Sequence, residues 1–220
     1  MPKADVVKRI NQRWNDRAAG GIVMGISDSA SVSLSAGADI RVSGYTIARK
    51  GNKVLLFNGA LAVVREYAPD ATGLAAAIAA AASGDIIQIP AGTIDASITI
   101  PAGVALVGRG WNSVIEGMIT LGDGASAAHL RVYQSVNSGA DIIGVIGPAS
   151  GEALVRDVQV SLTQAGGGNA LGLLSNGGTL RAFECEVRVN GGTGSSWAAA
   201  AVTDGIVELN QGLVKAERAS

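Results

Sequence analysis

The residues with the clearest capacity for chemistry are five carboxylates in the second half of the chain: Asp157, Glu184, Glu186, Asp204 and Glu208. Glu184 and Glu186 are two apart, so an extended strand places them on one face, with Arg181 and Arg188 nearby. Two carboxyl groups beside a guanidinium are the components of glycosidic hydrolysis or of a calcium-assisted lyase step. Asp157, Glu184 and Glu186 are therefore the catalytic candidates if the chain is an enzyme. The competing reading, and the favoured one, is a row of solubilising surface charge. Trp111, Tyr133 and Trp197 are candidates for stacking on sugar rings where they face outward, and otherwise packing residues.

Other chemistries find little support. Gly108-x-Gly110 is followed by Ser113 instead of a third glycine, and no helix pattern follows, so it reads as a turn and not as a dinucleotide loop. Asp123-Gly124 lacks the alternating acids of a calcium loop. The single histidine, His129, has no identifiable triad partners, and the single cysteine, Cys185, falls in an apolar phase where it behaves as a small hydrophobe. One Cys and one His exclude an ordinary zinc site, and one Cys excludes an intrachain disulfide. Neither a metal nor a cofactor is expected. The basic and aromatic clusters of nucleic-acid modules are missing.

The elements that must position these residues follow from a repeat. Leu106, Leu130, Leu154, Leu180 and Val207 each open a short apolar segment and recur at a nearly constant interval of some two dozen positions. Short strands at such a period, separated by Gly, Asn, Asp and Ser turns, indicate a stacked solenoid of five or six coils. Hydrophobic residues make up 48% of the 220 but aromatics only 4%, and there are 31 glycines, which suits a narrow interior of thin layers. In 158–162 the inward set is Val158, Val160 and Leu162; in 183–189 it is Phe183, Cys185, Val187 and Val189. Second strands are expected at Met118–Leu121, Asp141–Ile146, Ala170–Leu174 and Ala198–Thr203.

The remainder reads as three segments. Residues 1–21 predict an amphipathic helix, with Val6, Ile10 and Trp14 on one stripe as an assembly surface. Residues 22–68 predict a small β region, with two strands about Gly51-Asn52 and a further turn at Asn58-Gly59. From 69 to 220 the solenoid follows, opened by an Ala-rich helix over 72–82 that Asp70 or Thr72 can cap and that covers the end of the sheet. Charge is uneven: residues 1–84 carry ten Lys/Arg against six Asp/Glu, and 85–220 carry seven against twelve. The N-terminus lacks the apolar core of a secretory signal, and Leu74–Ala82 is too short to span a bilayer.

The Ala-rich helix, the Gly84-Asp85 break, Ile89-Pro-Ala-Gly-Thr93 and Leu106-Val-Gly-x-Gly-x-x-Ser-Val-Ile115 together resemble the opening of the pectin-lyase-like right-handed parallel β-helix. The same opening is similar to that of bacteriophage tailspike and tail-fibre proteins. The motifs cover residues 70–116, and the repeat extends the likeness to about 216. The resemblance implies an all-β fold, a right-handed parallel β-helix with a short N-terminal helix and small β region. Against an enzyme of this class, the chain has no doubled Asp-Asp, no Gly-His-Gly and no Arg-Ile-Lys. The expected function is a non-enzymatic virion structural protein, a tail-fibre, tailspike or decoration subunit made in the host cytoplasm. Sister subunits, with a homotrimer as the expected state, and other virion proteins contacted through residues 1–67 are the implied partners, with a host surface glycan as a further ligand. The alternatives are a polysaccharide lyase or hydrolase and a self-assembling β-helical filament.

Overall fold

Alternation of apolar and polar residues over short runs, broken repeatedly by glycine-bearing turns, gives strands that bury one face each and must stack to share a core. The computed structural model describes residues 40–42, 45–47, 52–58, 63–202 and 204–218. The expected N-terminal helix and its Val6, Ile10 and Trp14 lie outside the described residues. The chain divides into two units at Gly51/Asn52. In the first, β1 (Ile40–Val42) and β2 (Tyr45–Ile47) form an antiparallel hairpin.

The second unit begins with β3 (Val54–Phe57) and β4 (Val63–Tyr67), an antiparallel pair. Sequence places these two strands in a small β region ending at 68, either a separate module or the first rungs of the rod. In the structure β3 pairs with β5 (Ile86–Gln88), so both strands belong to the large sheet of the solenoid. The physical reason lies in the all-buried run Val54–Phe57, which needs cover on both faces. Within the first unit β2 pairs with β1, and within the second β3 pairs with β4 and β5.

Between β4 and β5 lies helix α1, Ala71–Ala80. Asp70 caps it, its Oδ1 accepting a 2.7 Å bond from the Gly73 amide. Leu74 and Ala77 are buried in the core that the first strands enclose, so the helix covers the start of the coiled sheet as its sequence predicts.

The remaining strands stack in parallel. Each coil presents three walls. The first is built by β5, β8 (Ala105–Val107) and the leading halves of β11 (Ser126–Val136), β13 (Glu152–Gln164), β15 (Thr179–Gly191) and β17 (Ile206–Arg218). The second is built by β6 (Gly92–Asp95), β9 (Ser113–Glu116) and the trailing halves of the same four long strands. The third is the five-stranded sheet of β7 (Ile98–Ile100), β10 (Ile119–Leu121), β12 (Ile142–Ile146), β14 (Ala170–Asn176) and β16 (Ser196–Val202). This is a β-solenoid of parallel stacked coils, consistent with a parallel β-helix.

Register fixes where one coil ends and the next begins. On the first wall Ile87 pairs with Leu106, Leu106 with Ala127, Ala127 with Val155, Val155 with Ala182 and Ala182 with Leu209. Two short steps are thus followed by three longer ones, and the expected repeat averages over the change. Leu180 does pair with Val207, but Leu130 pairs with Val158, and Leu154 pairs with Ser126 and Arg181. Leu154 is half-buried, while its neighbours Ala153 and Val155 are buried in the core.

The misalignment has a local cause. Long strands turn from the first wall to the second at one residue of left-handed conformation: His129 (φ 54°), Asp157 (φ 49°), Glu184 (φ 55°) and Gln211 (φ 52°). Each inserts one residue into the alternation, so buried Val155 is followed by buried Val158, and buried Ala182 by buried Cys185. Phe183, expected inward, is half-buried at this corner; Cys185, Val187 and Val189 are buried as expected.

A second corner, before the third wall, is held by side chains. Asp141 Oδ1 accepts from the Asn169 amide at 2.7 Å, and Asn169 Oδ1 accepts from the Ser195 amide at 3.0 Å. Each side chain thereby satisfies a backbone donor of the next coil that the wall-to-wall turn leaves unpaired.

Candidate functional site

The outer walls carry the residues singled out from sequence, and the corner carries two of its three acids. Asp157 and Glu184 occupy the same left-handed position in successive coils, with His129 one coil before Asp157. The short polar side chain of Asp tolerates this backbone better than a branched residue does. Glu186 lies two residues beyond Glu184, already on the second wall, where it is in register with Gln159. Glu184 thus sits at the bend and Glu186 beyond it, so the two do not share one flat face.

Each carboxylate is engaged by a residue of its own wall. His129 Nδ1 lies 2.7 Å from Asp157 Oδ2, and Arg156 Nε donates to Glu184 Oε2 at 3.3 Å. Gln159 Nε2 donates to Glu186 Oε2 at 3.2 Å, and the Arg188 guanidinium pairs with the other oxygen of Glu186. On the first wall Arg181 bridges three coils, 3.1 Å from Glu152 and 2.8 Å from Glu208. These exposed pairs contribute little individually to stability, about 0–1 kcal/mol each. What distinguishes them is that most join one coil to the next, and Arg181 joins three. Among the described residues no group of three His, Cys, Asp or Glu is placed to hold a metal ion.

The aromatic candidates do not converge. Trp111 is 42% exposed in the loop before β9, and Trp197 is 53% exposed on the third wall. Tyr133 is half-buried on the second wall, with Arg131 stacked over its ring at 5.3 Å from the centroid. A continuous sugar platform would need them on one wall.

Cys185 is buried, and its Sγ lies 3.2 Å from the Phe183 carbonyl. Burial pushes its thiol up from the usual range, and the charges of Asp157 and Glu184 add to that. The group is therefore a protonated packing residue at neutral pH and not a nucleophile. Beside it lies a cavity of about 90 Å³ lined by Ala182, Leu209, Asn210, Gln211 and Gly212, small for an organic ligand.

Sequence reasoning missed one group of residues. Ile206, Leu209 and Leu213 are 52%, 45% and 50% exposed on β17, the last strand of its sheet. No residue type marked them in advance, because the register that sets Ile206 and Leu213 beside Thr179 and Glu186 comes from the structure.

The chain matches no family model, no curated protein and no solved structure. Among the described residues no helix is long and apolar enough to cross a membrane.

Proposed function

We propose that this chain is a non-catalytic structural protein of a bacteriophage particle, a tail-fibre, tailspike or decoration subunit whose coiled sheet serves as a rigid spacer or host-contacting rod. The observation that carries the reading is the state of the three acids. Asp157, Glu184 and Glu186 are each tied to an imidazole, guanidinium or amide of the coil before, so that each carboxylate is engaged in holding neighbouring coils together. The sequence resemblance of residues 70–116 supplies the phage context. Sister subunits and other virion proteins are the partners this role requires, and a host surface glycan is a ligand the exposed walls are suited to meet.

The test is direct. Mass spectrometry of particles purified from the phage that carries the gene should find this chain, and antibodies to it should label an appendage by electron microscopy. Its absence from purified particles overturns the proposal. Cleavage of host polysaccharide is the competing reading. It requires that the purified chain release oligosaccharides and that Glu186→Gln abolish the release while leaving the fold intact.

A further inference from the structure

The third wall differs from the other two in being apolar on both faces. Its inward side chains, Ile142, Val145, Ala170 and Leu173 among them, belong to the core. Two further columns point the other way. Ile143, Leu171 and Trp197 are in register in one, and Ile146, Leu174 and Ala200 in the other. None of these six packs into the core. Ile143, Ile146, Leu171 and Leu174 belong to β12 and β14, strands paired along both edges, so it is the face of the sheet that they line. Leu171 is sheltered by its neighbours, while Trp197 stands 53% exposed. No strand of this wall carries a charged residue, whereas the ion pairs of Arg156, Arg181 and Arg188 lie on the other two walls. A sheet that is apolar on both faces requires cover on both.

We propose that the third wall is the contact between two copies of this chain, packed face to face about a two-fold axis that runs along the solenoid midway between the two columns. A charged partner would lose hydration against this wall and find no counter-charge there. The partner surface must itself be flat, apolar and uncharged, and among the described walls the third wall of a second copy meets that requirement. The five strands, three to seven residues long, make a face of roughly 400–500 Å² at ~4.8 Å between strands and ~3.3 Å per residue. Two such faces together remove about 800–1,000 Å², at the low end of specific interfaces, which sets the expected product as a reversible dimer. A ring of three would need two different contact faces on each copy, and one flat wall supplies a self-complementary contact that closes after two.

The axis follows from the side chains. A two-fold midway between the columns lays each column on the other column of the second copy, coil against equivalent coil. Ile143 then meets Ile146, Leu171 meets Leu174, and the large Trp197 meets the small Ala200. Large against small is the arrangement that fills the space between two sheets without a gap. Moving the axis sideways leaves one column facing water. Reversing the coil order covers the apolar strands only if the walls are offset, which sets Trp197 on Ile143 and leaves β7 and β10, with outward Thr99 and Thr120, out of contact. The pairing does not depend on the virion role: it is tested on purified chain, and the role on purified particles.

Sedimentation and light scattering of the full chain over about 1–100 µM test this, with a monomer–dimer equilibrium expected. Trp197→Glu and Leu174→Glu should each weaken association about tenfold or more, because each buries two unpaired carboxylates in the contact. Ser161→Glu, on the second wall, should leave association unchanged. Ala200→Trp sets indole on indole and should also weaken the dimer, and the swap Trp197→Ala/Ala200→Trp should restore it, since large again meets small. Far-UV circular dichroism separates a failure to pair from a failure to fold, and Trp197, being largely exposed, keeps the test open should Leu174→Glu not fold. A chain that stays monomeric at about 100 µM, a trimer, a folded Trp197→Glu that associates like the wild type, or a swap that does not recover overturns the proposal.

Discussion

The early coils and the late coils solve the same problem with different means. Between Ile86 and Leu121 the coils are short: Ile87 stacks under Leu106, and Leu106 under Ala127. Their third-wall strands have three residues, and their first two walls are separate strands joined by loops. From Ser126 onward the coils lengthen, Ala127 stacking under Val155 and Val155 under Ala182, and third-wall strands have five or seven residues. There the first two walls merge into one bent strand of 11 or 13 residues. The narrow coils turn with glycine and proline. Between their first and second walls the wide coils turn with a single polar residue forced into the left-handed region. The chain thus exchanges a flexible corner for a strained one when the strand is long enough to hold it, because the flanking hydrogen bonds of a long strand offset roughly 1–2 kcal/mol of strain per corner.

Four substitutions test this contrast. Leu173→Ala removes a fully buried side chain from the wide third wall. It should cost about 2–5 kcal/mol in denaturant unfolding. Because coils contact only their neighbours, hydrogen exchange should rise around 140–200 and stay low around 86–121. Uniform loss of protection would erase the distinction between the regions. Gly108→Ala probes the narrow corner: an added Cβ would come within 2.3 Å of the His129 carbonyl oxygen and 2.8 Å of Leu130 Cβ. A drop of roughly 1–3 kcal/mol is expected, read from the denaturation midpoint. Asn169→Ala severs the second-corner ladder at Ser195 and should lower stability by about 1 kcal/mol. Glu184→Gly has the smallest effect. Relief of the left-handed strain is offset by the loss of the Arg156 contact and by glycine's unfolded-state freedom, so thermal unfolding should show a change within about 0.5 kcal/mol. A large loss there would mean that the corner side chains, and not the strands, hold the bend.

The architecture was legible in the sequence, while the register was hidden. Third-wall strands fall where alternation and turn residues put them, as Ala170–Asn176 and Ser196–Val202 show. The helix is found at 71–80 against an expected 72–82, with Asp70 as its cap. What misled was leucine. Leu130 and Leu154 look equivalent, one apparent repeat apart, yet one follows the corner and is buried while the other precedes it and is half-buried. The legible clue was a doubled outward step, apolar–x–polar–apolar, in Val155-Arg-Asp-Val158 and again in Ala182-Phe-Glu-Cys185. Strict alternation cannot produce it, and a bend can. The acids were legible as outward, but their division between a corner and a wall depends on φ at a single residue, which residue type does not specify. The exposed apolar side chains of β17 were harder still, because their exposure depends on what lies beyond the strand.

In the ladder through Asp141, Asn169 and Ser195, the middle coil receives an acceptor from the coil before and offers one to the coil after. Removing 155–181, the stretch that carries the chain from one layer to the next, would leave Leu154 continuing into Ala182 with the column alignment preserved. The molecule would then be shorter by one layer, about 4.8 Å, and otherwise unchanged in profile. Duplication within a gene therefore sets how far such an object reaches, in fixed increments, without any redesign of what it presents sideways.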